Sequence, residues 1–112
     1  MTSSNFRLDP VLKNAYSVYF SEAHQHLKEL KGVFEGNEDP SSETLKQAST
    51  RFHTLKGGAG FFGLSDVSKV AGFLEKKIIE PDFSYQQSIT EVKERFLELQ
   101  KLIEGMPKPE IQ

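Results

Sequence analysis

Residues 45–64 read LKQASTRFHTLKGGAGFFGL, and the apolar residues of this stretch recur in alternating steps of three and four. Because an α-helix turns once every 3.6 residues, this spacing keeps one face of a helix apolar from end to end. Gly63 predicts the end of the helix, and Leu64 can make the apolar contact of a Schellman cap. The apolar positions of the stretch are Leu45, Ala48, Phe52, Leu55, Ala59 and Phe62.

Three other stretches have the same helical spacing of apolar residues. In the first of them, Asp9 is a candidate N-cap and Pro10 stands at the first helical position. The stretch that follows Leu64 begins near Ser65 or Asp66 and must end before Pro81, because a proline disfavours helical backbone in the residue before it. The apolar positions of the three stretches are Leu12, Tyr16, Tyr19, Ala23, Leu27, Leu30 and Phe34; Val67, Val70, Ala71, Leu74 and Ile78; and Ile89, Val92, Phe96, Leu99 and Ile103.

The last stretch opens with Ser84 and Gln87 at the spacing of a capping box and runs to Gly105. Four amphipathic helices joined by short connections can bury their stripes only against one another. The sequence therefore predicts an all-α fold, an antiparallel four-helix bundle. We expect a single domain over residues 1–112, with the bundle over about 9–105 and a flexible tail over 106–112. A short additional helical turn around Phe6 and Leu8 is compatible with the pattern.

Composition excludes several classes of function. The formal net charge is -2, and lysine and arginine are spread among acidic residues, so nucleic acid is a poor candidate partner. No apolar run approaches the roughly 20 residues of a membrane span, and the N-terminus has no signal-peptide pattern, so we expect a cytoplasmic protein. The absence of cysteine leaves histidine and carboxylates as the reactive side chains.

His53 is the candidate reactive residue. It follows Phe52 of the apolar stripe, so it lies at the margin of the stripe and faces outward. An exposed imidazole can act as a nucleophile, and a lysine one turn away can pair with phosphate oxygens. A side chain at position 57 would lean back over the imidazole, whereas Gly57 leaves it bare. The other residues of this outward face are Lys46, Ser49, Lys56 and Gly60.

The run HTLKGGAG at residues 53–60, followed by Gly63 and Leu64, resembles the signature of histidine phosphotransfer domains. The resemblance implies a four-helix bundle in which His53 is phosphorylated and Lys56 and Gly57 support it. The run GGAG at residues 57–60 and the pair FG at residues 62–63 are also similar to the phosphorylation domain of chemotaxis histidine kinases. That domain carries a Leu-Glu pair on the next helix, matched here by residues 74–75, which implies that Glu75 orients His53 and fixes its tautomer.

The resemblance further implies a phosphorelay intermediate rather than an enzyme. The donor would be a histidine kinase catalytic domain or a phosphorylated receiver domain, and the acceptor an aspartate of a receiver domain that brings its own Mg²⁺. We expect no cofactor and no metal on this chain, and a monomer. Ser49, Gly60 and Phe61 are the candidate contacts with the partner. For Phe61 two interpretations stay open, an apolar contact at the rim of the docking surface and a side chain tucked under the turn to the third helix.

Two alternatives stay open, and two others are disfavoured by the pattern. The chain can be the excised phosphorylation domain of a larger kinase, or a helical module that binds receiver domains without accepting phosphate. A metal-binding bundle is disfavoured, because His24 and His26 are two residues apart and no pair of inward-facing Glu-x-x-His motifs occurs. A nucleotide-binding P-loop is disfavoured as well, because Lys56 precedes the glycines instead of following them.

Overall fold

The computed structural model describes residues 10–36 and 38–109, and in these ranges it contains four α-helices and no strand. Helix α1 spans Pro10–Phe34, α2 Ser42–Phe61, α3 Ser65–Lys77 and α4 Tyr85–Glu104. Helices α2 and α4 each pack against both α1 and α3, so the four helices form a closed ring around one core. The predicted four-helix bundle is confirmed. The candidate N-cap Asp9, the turn around Phe6 and Leu8, and residues 110–112 lie outside the described residues.

The predicted apolar stripes form the core of the bundle. Three phenylalanines from three helices meet at its centre, with Phe34 5.4 Å from Phe96 and 6.0 Å from Phe52 between ring centroids. Most stripe positions are buried. Those that are only half-buried are Leu12, Leu45, Phe62, Val70 and Ile89. Phe52 is completely buried, so it fixes the rotation of α2 about its own axis at the position just before His53.

Helix α2 ends in the predicted Schellman motif. The Leu64 N–H donates to the Ala59 carbonyl at 2.8 Å, and the Gly63 N–H donates to the Gly60 carbonyl at 3.3 Å. Gly63 has a φ of +76°, a backbone conformation that glycine adopts without a steric penalty. The helix therefore continues through Gly57 and Gly58 and reverses within residues 62–64, which places α3 directly beside α2.

Serine hydroxyls cap two of the helices at their N-termini. Ser41 accepts a hydrogen bond from the Thr44 N–H at 3.1 Å, and Ser84 accepts one from the Gln87 N–H at 3.4 Å, as its spacing predicts. Helix α3 begins without a side-chain cap after Leu64.

The chain stays in contact with the bundle beyond the end of α4. Met106 is buried, and the Tyr16 hydroxyl donates a hydrogen bond to the Pro107 carbonyl. Residues 106 and 107, the first two of the predicted flexible tail over 106–112, therefore pack against the bundle. None of the described helices has the length and apolar character needed to cross a lipid bilayer.

Candidate functional site

His53 lies on α2 next to the core and projects from it. The preceding Phe52 is completely buried, whereas the His53 side chain is 65% exposed. This is the position at the margin of the apolar stripe that the sequence predicts. The imidazole has its Nδ1 toward Glu75 of α3, and most of the side chain is open to solvent.

Glu75 of α3 joins His53 to Lys56. Its Oε2 lies 2.7 Å from the His53 Nδ1, and its Oε1 lies 2.9 Å from the Lys56 Nζ. The Glu75 side chain is only 17% exposed, because it lies between the two α2 side chains next to the buried Leu74. One carboxylate therefore serves two partners on successive turns of α2, one with each oxygen. The contact of Glu75 with Lys56 is absent from the sequence-based prediction.

The ionisation of Glu75 reflects two opposing effects. Partial burial of the carboxyl raises its pKa, whereas the interactions with Lys56 and His53 lower it, and the net result is a pKa below the ordinary value. Its Oε1 is shielded from solvent and accepts no aligned hydrogen bond, so the Lys56 ammonium is what compensates its charge. Glu75 is consequently an anion over the physiological pH range.

An ionised carboxylate can only accept hydrogen bonds, so the His53 Nδ1 must carry the proton in this contact. In the neutral imidazole the lone pair is then on Nε2, the ring nitrogen that faces away from Glu75. The arrangement assigns different tasks to the two nitrogens, since one is held by the protein and the other is available to a reactant.

Two serine hydroxyls connect the backbones of α2 and α3 at this site. Ser49 donates to the Glu75 carbonyl at 2.9 Å, and Ser68 donates to the Lys56 carbonyl at 3.3 Å. Each hydroxyl thus holds the backbone of a residue that contributes to the site from the opposite helix. Ser68 was not identified from the sequence, because no regular spacing relates it to Lys56.

The position of Ser49 differs from the sequence-based prediction. Ser49 was expected on the outward face as a contact with the partner, but it is only 7% exposed. The reason is that α3 packs against this side of α2, so the hydroxyl faces the Glu75 carbonyl instead of solvent. Ser49 therefore belongs to the helix interface.

The glycines of α2 have different surroundings. A Cβ added at Gly57 would meet no atom within 4 Å, so the space over this turn is open. A Cβ at Gly58 would lie 2.3 Å from the Tyr19 Cε1, because the ring of Tyr19 packs against the backbone of α2. The Tyr19 hydroxyl also donates to the Leu55 carbonyl at 2.9 Å. Gly60 is exposed, and a Cβ there would make only an ordinary contact, 3.8 Å from the Ser68 hydroxyl.

Two adjacent phenylalanines at the end of α2 differ in their exposure to solvent. Phe61 is 69% exposed and touches Phe62 edge-on, at 5.0 Å between ring centroids. Phe62 is half-buried and packs against Tyr16 at 5.2 Å and Tyr19 at 5.6 Å. Of the two interpretations of Phe61, the structure has the exposed side chain, and Phe62 is the ring of the pair that packs against α1.

The remaining histidines lie apart from this site. The His24 Nδ1 is 2.9 Å from the Phe20 carbonyl, and the His26 Nδ1 accepts a hydrogen bond from Arg51 at 2.9 Å. Burial and the neighbouring Arg51 lower the pKa of His26. Within residues 10–36 and 38–109, no group of three or more histidines and carboxylates is placed to hold a metal ion.

Comparison with known sequences identifies one family. The sequence model described as Hpt domain matches residues 14–107, which include all four helices except the first residues of α1. The search among curated proteins and the search among solved structures gave no match.

Proposed function

Because the chain belongs to the Hpt domain family, we propose that it accepts a phosphoryl group on the Nε2 of His53 and exchanges it with an aspartate of a receiver domain. Domains of this family carry phosphoryl groups in phosphorelays and interact with receiver domains and histidine kinases. The observation that supports His53 as the site is its exposed imidazole, whose Nδ1 lies 2.7 Å from the Glu75 carboxylate.

The proposed transfer requires this chain only to position the imidazole and to stabilise the charge that develops on it. The Nε2 lone pair attacks the phosphorus of an aspartyl phosphate, a P–N bond forms, and the P–O bond to the aspartate breaks to leave a carboxylate. The proton on Nδ1 stays in place, so the phosphorylated ring gains a positive charge. Glu75 is already an anion beside that nitrogen and stabilises this charge as it develops. The reverse steps return the group to the receiver.

Lys56 and Gly57 support the transfer in different ways. The Lys56 ammonium lies next to Glu75, one turn along α2 from His53, where its charge attracts the oxygens of the phosphoryl group. The open space over Gly57 lets a partner approach the imidazole from this turn. This chain needs no cofactor of its own in the proposal, and the Mg²⁺ belongs to the receiver domain.

The proposed docking surface is the exposed part of α2 around His53 and extends to Gly60 and Phe61. An exposed aromatic side chain beside a reactive group can anchor a small transient interface. We further propose that the protein acts as a monomer in the cytoplasm.

A second candidate function is the phosphorylation domain of a larger histidine kinase. It is favoured by the contact between His53 and Glu75, the feature shared with the phosphorylation domain of chemotaxis kinases. In that case ATP, bound to a kinase catalytic domain, would be the phosphoryl donor to the same Nε2.

A single experiment separates these functions. The protein is incubated with a panel of phosphorylated receiver domains and, in parallel, with histidine kinase catalytic domains and Mg-ATP, and its mass is measured under neutral conditions. One added phosphoryl group from a receiver domain supports the relay, and one added only by a kinase domain supports the second candidate. Binding to receiver domains without any mass increase would contradict both and indicate an interaction module.

A further inference from the structure

Gly72 lies in the interior of α3, beneath the side chain of Lys56. A Cβ added at this position would stand 3.1 Å from the Lys56 Cδ and 3.8 Å from its Cγ. The first distance is shorter than ordinary van der Waals contact, so the methylene chain of Lys56 rests directly on the backbone of α3 at Gly72. Glycine destabilises a helix interior relative to alanine, so a glycine here calls for a structural reason.

The path of Lys56 along α3 supplies that reason. Ser68, Gly72 and Glu75 lie at positions i, i+4 and i+7, on one face of α3. The Lys56 carbonyl is held by Ser68, its methylenes cross Gly72, and its ammonium ends at Glu75. The lysine therefore runs over two turns of the neighbouring helix, and Gly72 is the middle point of this path.

We propose that Gly72 is a positioning residue of the phosphotransfer site, because its missing Cβ forms a groove on α3 that guides Lys56 onto Glu75. With a methyl group in the groove, the lysine stem must shift away from α3 by a few tenths of an ångström, and the ammonium shifts with it relative to the carboxylate. The Glu75 carboxylate would then keep its close contact with His53 and lose part of its contact with the Lys56 ammonium. The consequence for the rate of phosphoryl transfer rests on the proposed function, whereas the consequence for the ion pair does not.

The ion pair can be measured without phosphate. The pH titration of the Glu75 side-chain carboxyl carbon is followed by NMR in the wild type, Gly72→Ala, Lys56→Ala and the double variant. Removing the cation by Lys56→Ala should raise the titration midpoint of Glu75. Gly72→Ala should raise it in the same direction and by no more than Lys56→Ala does. In the Lys56→Ala background, where no stem remains to be displaced, Gly72→Ala should cause no further shift.

Gly32→Ala is the matched control. Gly32 lies within α1, and a Cβ there would meet no atom within 4 Å, so this variant should leave the Glu75 titration unchanged. An unchanged midpoint in Gly72→Ala would overturn the proposal. It would also be overturned by equal shifts with and without Lys56, since the methyl group would then act through α3 itself.

Transfer assays on the same variants separate this inference from the proposed function. Gly72→Ala should slow phosphoryl transfer by a smaller factor than Lys56→Ala, with Gly32→Ala at the wild-type rate. If no donor phosphorylates the wild type while the titrations behave as expected, the proposed function fails and the positioning role stands. If transfer occurs but the titration midpoint of Glu75 is unchanged in Gly72→Ala, only the positioning role fails.

Discussion

The His53 Nδ1 and the Glu75 Oε2 lie 2.7 Å apart across the interface of α2 and α3, although their positions in the chain differ by 22. This contact distinguishes the two nitrogens of an otherwise exposed ring. The nitrogen that faces α3 is held by a carboxylate, and the opposite nitrogen is directed toward solvent, where a partner protein can reach it.

Replacing His53 should abolish phosphorylation without unfolding the bundle. The side chain is largely exposed, so His53→Gln should change the free energy of unfolding by no more than about 1 kcal/mol. The measurement is intact mass after incubation with the donor, together with a urea melt. His24→Gln is the control and should still be labelled. Label that persists in His53→Gln, or that survives acid as a serine or threonine ester does, would eliminate His53 as the site.

Removing the Lys56 cation should slow transfer while leaving His53 modifiable. We expect Lys56→Ala to lower the transfer rate roughly tenfold, because a positive charge near the phosphoryl oxygens is lost. A time course of phosphoryl transfer at low and at moderate salt measures this effect. Lys28→Ala, on the exposed surface of α1, should transfer at the wild-type rate. Equal rates for the two variants would assign Lys56 to the solvated surface.

The pH dependence of stability should report the Glu75 ion pair. The pKa of Glu75 is lowered on folding, so its contribution is fully present above the ordinary value of 4.5 and is lost as the pH falls through the lower value of the folded state. Glu75→Gln should therefore be less stable than the wild type at pH 7, by roughly 1 kcal/mol. Urea melts between pH 7 and pH 3 should show this difference shrinking in acid. A difference that is constant over the range, or that matches Glu94→Gln on the exposed surface of α4, would contradict the ion pair.

Adjacent glycines of α2 should respond to alanine in opposite ways. Gly57 is helical and surrounded by open space, so Gly57→Ala should raise the free energy of unfolding by roughly 0.5–1 kcal/mol. Gly58→Ala should lower it by roughly 1–3 kcal/mol, because the new methyl group would collide with the ring of Tyr19. Paired urea melts measure both changes, and stabilisation by both substitutions would mean that Tyr19 does not pack against α2.

A larger side chain at position 57 tests access to His53. Gly57→Gln should fold, but its side chain would lean over the imidazole and obstruct the partner, so transfer should slow steeply. An unaffected transfer rate in this variant would show that the partner approaches from another direction.

Neighbouring phenylalanines should separate binding from stability. Phe61→Ala should weaken binding of the receiver domain and change the free energy of unfolding by less than about 0.5 kcal/mol, because this side chain is exposed. Phe62→Ala should lower the free energy of unfolding by roughly 2 kcal/mol, because this ring packs against Tyr16 and Tyr19. Binding is measured by titration with the phosphorylatable receiver domain and stability by thermal melts. A strong loss of stability in Phe61→Ala would place Phe61 in the core.

Local patterns in the sequence were sufficient to predict the four-helix fold. Positions three and four apart on one helix share a face whatever the helix packs against, so the stripes predicted the core before any contact between helices was known. Gly63 is a local signal of the same kind, because a Schellman cap involves only the last turn of its own helix. The exposed placement of His53 followed from its position next to Phe52.

Contacts between helices could not be derived in this way. Spacing along α2 placed Ser49 on the same outward face as His53, but only the position of α3 decides that the serine is covered and the histidine is not. The contact of Glu75 with His53 was expected from family resemblance alone, and its second contact with Lys56 was missed. Tyr19 beneath Gly58 is a similar case, since the two residues lie on different helices and no local signal relates them.

The turn at Gly63 has a consequence for how the sequence can change over evolution. Surface connections generally tolerate insertions, because added residues bulge into solvent at a small entropic cost. Residues 62–64 cannot accommodate an added residue in this way, because the two hydrogen bonds that end α2 also fix where α3 begins. One added residue here would shift α3 against α2 and carry Glu75 away from His53. We therefore expect selection to preserve the length of this turn as strictly as the reactive residue, while the longer connections that lead to the capping residues Ser41 and Ser84 can vary in length.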